Sequence, residues 1–212
     1  MTLDYEQPLW DSFITPIGVD EAGRGALAGP VVAAAVVLNP ACVPDGINDS
    51  KKLSEHRRNE LRERIVATSL AWSVGIVDAN RIDEINILQS TFEAMQQAIS
   101  LCTAQLASAS SFHLLIDGNR FPKHTLPVTT VICGDALSPS IAAASIIAKT
   151  TRDHIMKDVV HRKFPEYGFE VHKGYGTATH RLAIQSLGAC KEHRMSFLSR
   201  ILSEGSQRAL GL

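Results

Sequence analysis

No apolar run in this 212-residue chain is long enough to cross a bilayer, and no basic start leads into an apolar stretch. The sequence therefore predicts neither a membrane span nor a secretory leader. Cysteine is sparse and scattered. Cys42, Cys102, Cys133 and Cys190 form no Cys-x-x-Cys pair, which removes the usual zinc and thiol-redox signatures. They read as reduced thiols of a cytoplasmic protein. Charge of one sign is also missing: 21 Lys and Arg face 22 Asp and Glu, for a formal net charge of −1. That excludes a sequence-blind nucleic-acid packager, although a local basic groove can still be offset by acids elsewhere. The eight histidines show no ligand spacing, and there is no internal repeat, low-complexity tract or linker composition. With 45% hydrophobic residues, the length suits one domain with a substantial core.

What is present centres on residues 18–30, Gly-Val-Asp-Glu-Ala-Gly-Arg-Gly-Ala-Leu-Ala-Gly-Pro. The apolar approach from Ile14 to Val19 reads as a short strand that delivers Asp20 and Glu21. A turn with two glycines around Arg24 follows, and then a second strand from Val31 to Leu38. Residues 1–13 read as a loose or lightly docked lead-in, and 14–212 as one domain ending in short helices. Pro40, Pro44, Gly46 and Asn48 mark a loop. Ser54 is placed as the N-cap of a polar helix. Ala71 to Val77 is a strand, and the three-to-four spacing from Asn80 to Ile99 predicts an amphipathic helix. Phe112 to Ile116 and Val128 to Cys133 are further strands, which end in Asp117-Gly118-Asn119 and Gly134-Asp135. Ser138-Pro139 opens a helix whose first half, Ile141 to Ala148, is apolar enough to be buried, while Lys149 to Lys163 turns to solvent. Phe164 to Gly176 reads as a loop. The order predicts a mixed α/β layer fold, one sheet flanked by helices.

Three strands thus end in acids, and ligand sites in such sheets gather where strand ends meet. Magnesium and manganese take hard oxygen ligands. Two such ions about 3.5–4 Å apart can activate water and steady a leaving oxygen in phosphodiester cleavage. Each acid alone has a simpler explanation, because Asp-Gly is good turn chemistry. Neighbouring strand residues also point to opposite faces, so Asp20 and Glu21 converge only if the strand ends between them.

The ordered set of motifs resembles type 2 ribonuclease H (ribonuclease HII). The set comprises Asp20 to Gly25 with Leu27 to Val32, Asp49 to Leu53, Ile116 to Asn119, Gly134-Asp135, Ser140 to Lys149, Thr151 to Asp153, and His172 to Thr177. Ala26 departs from the proline common in that family, which loosens the turn. The resemblance implies a ribonuclease H-like fold and an endonuclease that cuts the RNA strand of RNA–DNA hybrids. It also implies incision 5′ of a single ribonucleotide in duplex DNA, leaving 3′-hydroxyl and 5′-phosphate ends.

By the same resemblance, Asp20, Glu21, Asp117 and Asp135 are the catalytic, metal-binding acids. They would hold Mg2+ or Mn2+, two ions with substrate bound. Gly23, Arg24 and Gly25 read the ribose 2′-hydroxyl, and Tyr175 stacks beside that ribose from a loop read as exposed. Lys51, Lys52, Lys149, Arg152 and Lys173 are candidate phosphate contacts. Asp153 is explained by helix ion pairing with Lys149 or Lys157, and His172 and His113 read as a surface and a strand residue. Ser138 and Ser140 are a cap and a first-turn residue that present helix amides to a phosphate. The expected partners are RNA–DNA hybrid and ribonucleotide-containing DNA, met by a monomer. Residues 203–212 offer no partner motif. Three rivals are weaker. A ribonuclease HIII needs a folded domain where only about 16 residues precede the motif. A non-catalytic hybrid binder has no need of four acids, and a small-molecule phosphatase needs a nucleophile motif.

Overall fold

The computed structural model describes residues 1–106 and 111–202. The expectation for residues 203–212 lies outside the described residues. Five strands form one mixed sheet in the order β3-β2-β1-β4-β5. They are β1 (Thr15–Ala22), β2 (Val31–Val37), β3 (Ala71–Val77), β4 (Phe112–Asp117) and β5 (Val128–Val131). β2 pairs antiparallel with both β1 and β3, whereas β4 runs parallel to β1 and β5 parallel to β4. Among the helices, α1 is Gln7–Asp11, α2 Glu55–Thr68, α3 Ala79–Ala104, α4 Gly134–Leu137 and α5 Pro139–His154.

The seven residues of β2, Val-Val-Ala-Ala-Ala-Val-Val, are all buried. A run without polar alternation marks a strand covered on both faces, and its neighbours bear this out. Val31, Ala33 and Ala35 pack with Ala94, Met95, Ala98 and Ile99 of α3. Ala34 and Val36 pack with Ala143, Ile146 and Ile147 of α5. The apolar first half of α5 is buried because it lies against the centre of the sheet. A Cβ at Gly18 would overlap the Ser140 backbone, so only glycine lets α5 come this close to β1.

Local signals place the helix ends. Ser54 caps α2 by accepting from the Arg57 amide, and Ser138 caps α5 by accepting from Ile141. α3 begins at its Asp78 cap and kinks at Asn86, where the backbone leaves helical geometry.

Several expectations are corrected. β1 runs through both acids to Ala22 instead of ending between them. β5 stops at Val131, because Cys133 takes a left-handed conformation that a strand cannot continue. α5 ends at His154 and passes into a π-helical segment, Ile155–Val160, whose Met156 and Val160 are buried. The stretch read as a loop contains two short helices, Pro165–Tyr167 and Phe169–His172. The lead-in is firmly attached at Glu6, whose buried carboxylate accepts from the Ser138 hydroxyl and, at 3.0 Å, from the Ser140 amide. That carboxylate occupies the N-terminus of α5, so Ser138 and Ser140 do not present free amides to a phosphate. Among the described residues, no helix is long and apolar enough to cross a membrane.

Candidate active site

The parallel run of β1, β4 and β5 sends the C-terminal ends of all three strands to one sheet edge. Asp20 and Glu21 arrive on β1 and Asp117 on β4, while Asp135 follows β5 at the start of α4. Alternation along β1 turns Asp20 to the α5 face with Gly18 and Ala22, and Glu21 to the other face. From the neighbouring strand, the charge of Asp117 bears on both Asp20 and Glu21. A cleft of about 260 Å³ opens here, lined by Asp20, Glu21 and Asp117, by residues 22–25, by Ser50, Lys51, Ser145 and Lys149, and by Tyr175.

Each acid is held by a partner within the protein. Asp20 accepts from the Glu21 amide at 2.7 Å. Glu21 meets the Arg24 guanidinium at 3.2 Å. Asp117 accepts from the Gly134 amide at 2.7 Å, and Lys51 lies 3.4 Å from Asp135. Burial holds the Asp20 carboxyl well above its usual value; repulsion from Glu21 and Asp117 adds to this, and a hydrogen bond with Ser145 opposes it. Glu21 is raised by burial, against the pull of Arg24, and Asp135 is raised by burial, against the pull of Lys51. Desolvation works against the Lys51 ammonium, but Asp135 and Asp20 outweigh it and raise its pKa.

Among the described residues, no three acidic, imidazole or thiol side chains approach closely enough to make a ready-built metal centre. The donor set nevertheless suits a hard divalent cation. It is all carboxylate oxygen, and the burial and mutual repulsion that disfavour its charge are what a cation relieves.

The turn after Glu21 is tied down on two sides. Ala26 bridges to Tyr175 and Ala28 to His193, both antiparallel. Leu27 donates to the Gly174 carbonyl and accepts from the Arg194 amide, and Gly29 donates to Glu192. With Gly23, Arg24 and Gly25 on one wall and Tyr175 on the other, the cleft contains both proposed ribose-reading elements. The Tyr175 ring is half-buried, with Lys149 Nζ 5.5 Å and Arg152 Cζ 5.1 Å from its centre.

The candidate cations divide. Lys51 and Lys52 sit on an exposed turn. Lys149 lines the cleft and pairs with Asp153 at 2.6 Å, the helix ion pair expected of that acid. Lys157 instead lies 3.7 Å from Glu55. Lys173 is 9% exposed, and its ammonium donates to the Glu170 carbonyl. Arg152 is fully buried and bonded only to main-chain carbonyls, which corrects its reading as a phosphate contact. A charged residue in a charged half-helix looks solvated in sequence, and only tertiary packing reveals otherwise.

His172 is likewise buried, not on the surface. Its ring stacks on His180 at 4.2 Å, and His180 Nε2 lies 3.0 Å from His193 Nε2. His180 Nδ1 must donate to the Tyr175 carbonyl at 3.0 Å, so its Nε2 accepts from His193. His193 Nδ1 in turn accepts from the Cys190 amide at 3.0 Å. The hydrogen bonds are satisfied only with both imidazoles neutral. Ser50 and Ser145, joined at 2.9 Å, are cleft residues to which the sequence reading assigned no role. Arg194 and the His180–His193 pair were missed altogether; an arginine and two histidines near a chain end carry no spacing signal.

A family model described as ribonuclease HII matches residues 17–200. The ribonuclease HII of Chlorobaculum tepidum is 49% identical over 209 residues, covering 96% of this chain and 99% of that protein. Among solved structures, the ribonuclease H2 of Pyrococcus horikoshii OT3 superposes with a TM-score of 0.68 at 24% identity, over 92% of this chain and 100% of that one. A Bst ribonuclease HIII in complex with Mn2+ gives 0.75 at 18% identity, over 92% of this chain and 71% of that one.

Proposed function

Because the chain belongs to the ribonuclease HII family, whose members degrade RNA in RNA–DNA hybrids, we propose that this ribonuclease H also incises duplex DNA 5′ of a single embedded ribonucleotide. The products are a 3′-hydroxyl and a 5′-phosphate. One observation carries the reading: Asp20, Glu21 and Asp117 share a cleft with Gly23, Arg24, Gly25 and Tyr175, so cutting and ribose reading have a common floor.

Asp20, Glu21, Asp117 and Asp135 would hold divalent metal, Mg2+ or Mn2+ and two ions with substrate bound, and the chemistry such ions would supply is activation of the attacking water and stabilisation of the departing 3′ oxygen. The Mn2+ complex of the ribonuclease HIII neighbour supports this choice of ions. The protein's own part is positional. Asp20, Glu21 and Asp117 stand on sheet strands, which hold a side chain more closely than a loop does, and Asp135 opens α4. Gly23 and Gly25 let the backbone approach a 2′-hydroxyl, and Tyr175 packs against the same ribose. Lys51, Lys52 and Lys149 steer and hold the phosphate backbone. Lys173 is not among them, because its ammonium, its amide and its carbonyl are all engaged within the protein. One chain supplies all four acids and both walls, which supports action as a monomer, and the four free thiols suit the cytoplasm.

The test is cleavage of duplex DNA carrying one ribonucleotide, mapped to the nucleotide, with Mg2+ or Mn2+. Incision on the 5′ side of the ribose, lost in Asp20→Asn, is expected. Absence of cutting under both ions, or full cutting by the variant, would overturn the reading.

A further inference from the structure

Two arginines are fully buried beneath the ribose-reading walls, Arg152 and Arg194. Among the described residues neither forms an ion pair; their hydrogen bonds go to main-chain carbonyls. Arg152 Nε donates to Pro30 at 2.9 Å, Nη1 to Lys173 at 2.9 Å and Nη2 to Ala28 at 3.0 Å. Arg194 Nε donates to Gly29 at 2.9 Å and Nη1 to Arg24 at 3.0 Å, while its Nη2 is buried without a partner. A buried cation is costly relative to a neutral group, and the charges of Asp153 near Arg152 and Asp83 near Arg194 offset that cost only in part. Apolar packing alone would hold this region at lower cost. The acceptors explain the choice, because every one lies in residues 24–30 or at Lys173, the two arms that carry the reading elements.

We propose that Arg152 and Arg194 are positioning residues for ribose selection, two buried forks that fix the Gly23–Gly25 turn and the Tyr175 loop at one separation without touching substrate. The inference rests on the functional reading above and deepens it. In a trans peptide the C=O and N–H point in opposite directions. Drawing the Arg24 carbonyl inward to Arg194 therefore turns the Gly25 N–H outward, to the side of the cleft. Arg152 works on the other wall. It holds the Lys173 carbonyl and lies against the Tyr175 ring, a cation–π contact that fixes the tilt of the ring. A lysine in either place keeps the charge but loses the planar, several-pronged fork.

The experiment compares affinity, without divalent metal, for a DNA duplex holding one ribonucleotide and for the same duplex in all-deoxy form, alongside kcat/KM on the first. For Arg194→Lys and Arg152→Lys, the ribose-to-deoxy affinity ratio falls toward one and the all-deoxy affinity holds. Cleavage drops about 10- to 100-fold, the range of outer-sphere positioning losses. Parallel loss of both affinities, or an unchanged ratio in a folded variant, would show a merely structural role and overturn the proposal. A double-mutant cycle of Arg152→Lys with Tyr175→Phe gives a second reading, since action through Tyr175 makes the effects non-additive and strict additivity refutes it. A wild-type protein that cleaves nothing would instead remove the functional reading itself.

Discussion

A Cβ at Gly23 would overlap Nε of Arg152, whose N–H is committed to the Pro30 carbonyl. The glycine that opens the Gly23–Gly25 turn is thus a seat for a buried guanidinium, and its φ of +97° is one that side-chain-bearing residues rarely adopt. Gly23→Ala is expected to lower Tm by about 4–8 °C, equivalent to roughly 2 kcal/mol in a chain of this size. It should also reduce cleavage at a single ribonucleotide. Thermal melts and kcat/KM check both, and an alanine variant with unchanged Tm would contradict the crowding.

Removing one acid should trade function for stability. Asp20→Asn keeps an oxygen to accept from the Glu21 amide but ends the repulsion with Glu21 and Asp117. The metal-free variant should melt about 2–4 °C higher than wild type, while cleavage falls at least about 100-fold. Mn2+ or Mg2+ should raise the Tm of wild type and leave that of the variant nearly unmoved. Equal metal-induced shifts would exclude Asp20 from the ligand set.

Lys51 separates two kinds of charge contact. Its ammonium faces Asp135 while the residue lies on the surface. Lys51→Ala should weaken binding to any hybrid sequence by a similar factor and reduce the log–log salt slope by about one. Titrations over a range of salt check this, and an unchanged slope means that Lys51 meets no phosphate.

Acid should loosen the Tyr175 loop from behind. Burial lowers the pKa of His180 and of His193 from 6.5 to about 4. The unfolded chain therefore takes up protons near pH 6.5, while the folded chain resists until about 4. Stability is fully present above 6.5 and is lost as pH falls through that window. His172, stacked on His180, and Cys190 and Tyr167, beside His193, are titratable groups facing the pair. His180→Phe should flatten the fall of Tm between pH 6.5 and 4; identical slopes would rule out this source.

Much of the fold was legible because local patterns and tertiary demands coincide. The apolar run of β2 announced a strand, and Ser54 and Ser138 stood where helix amides need acceptors. The acids at strand ends were legible as well, since parallel strands leave them little choice of edge. The reading failed where the partner lies far along the chain. Arg152 passes for a solvated cation unless the carbonyls of Ala28, Pro30 and Lys173 are known to surround it. Glu6 looks like a loose acid until the start of α5 is placed against it. Asp20 and Glu21 required no strand end between them, because Asp117 on the neighbouring strand bears on both.

The bond from Arg194 to the Arg24 carbonyl spans 170 positions of sequence. On a ribosome, which makes residue 24 early and residue 194 late, the Arg24 carbonyl lacks this partner for most of chain growth. The acids of β1 also wait for Asp117 on β4. This fastening thus closes only after the five strands of the sheet have been made.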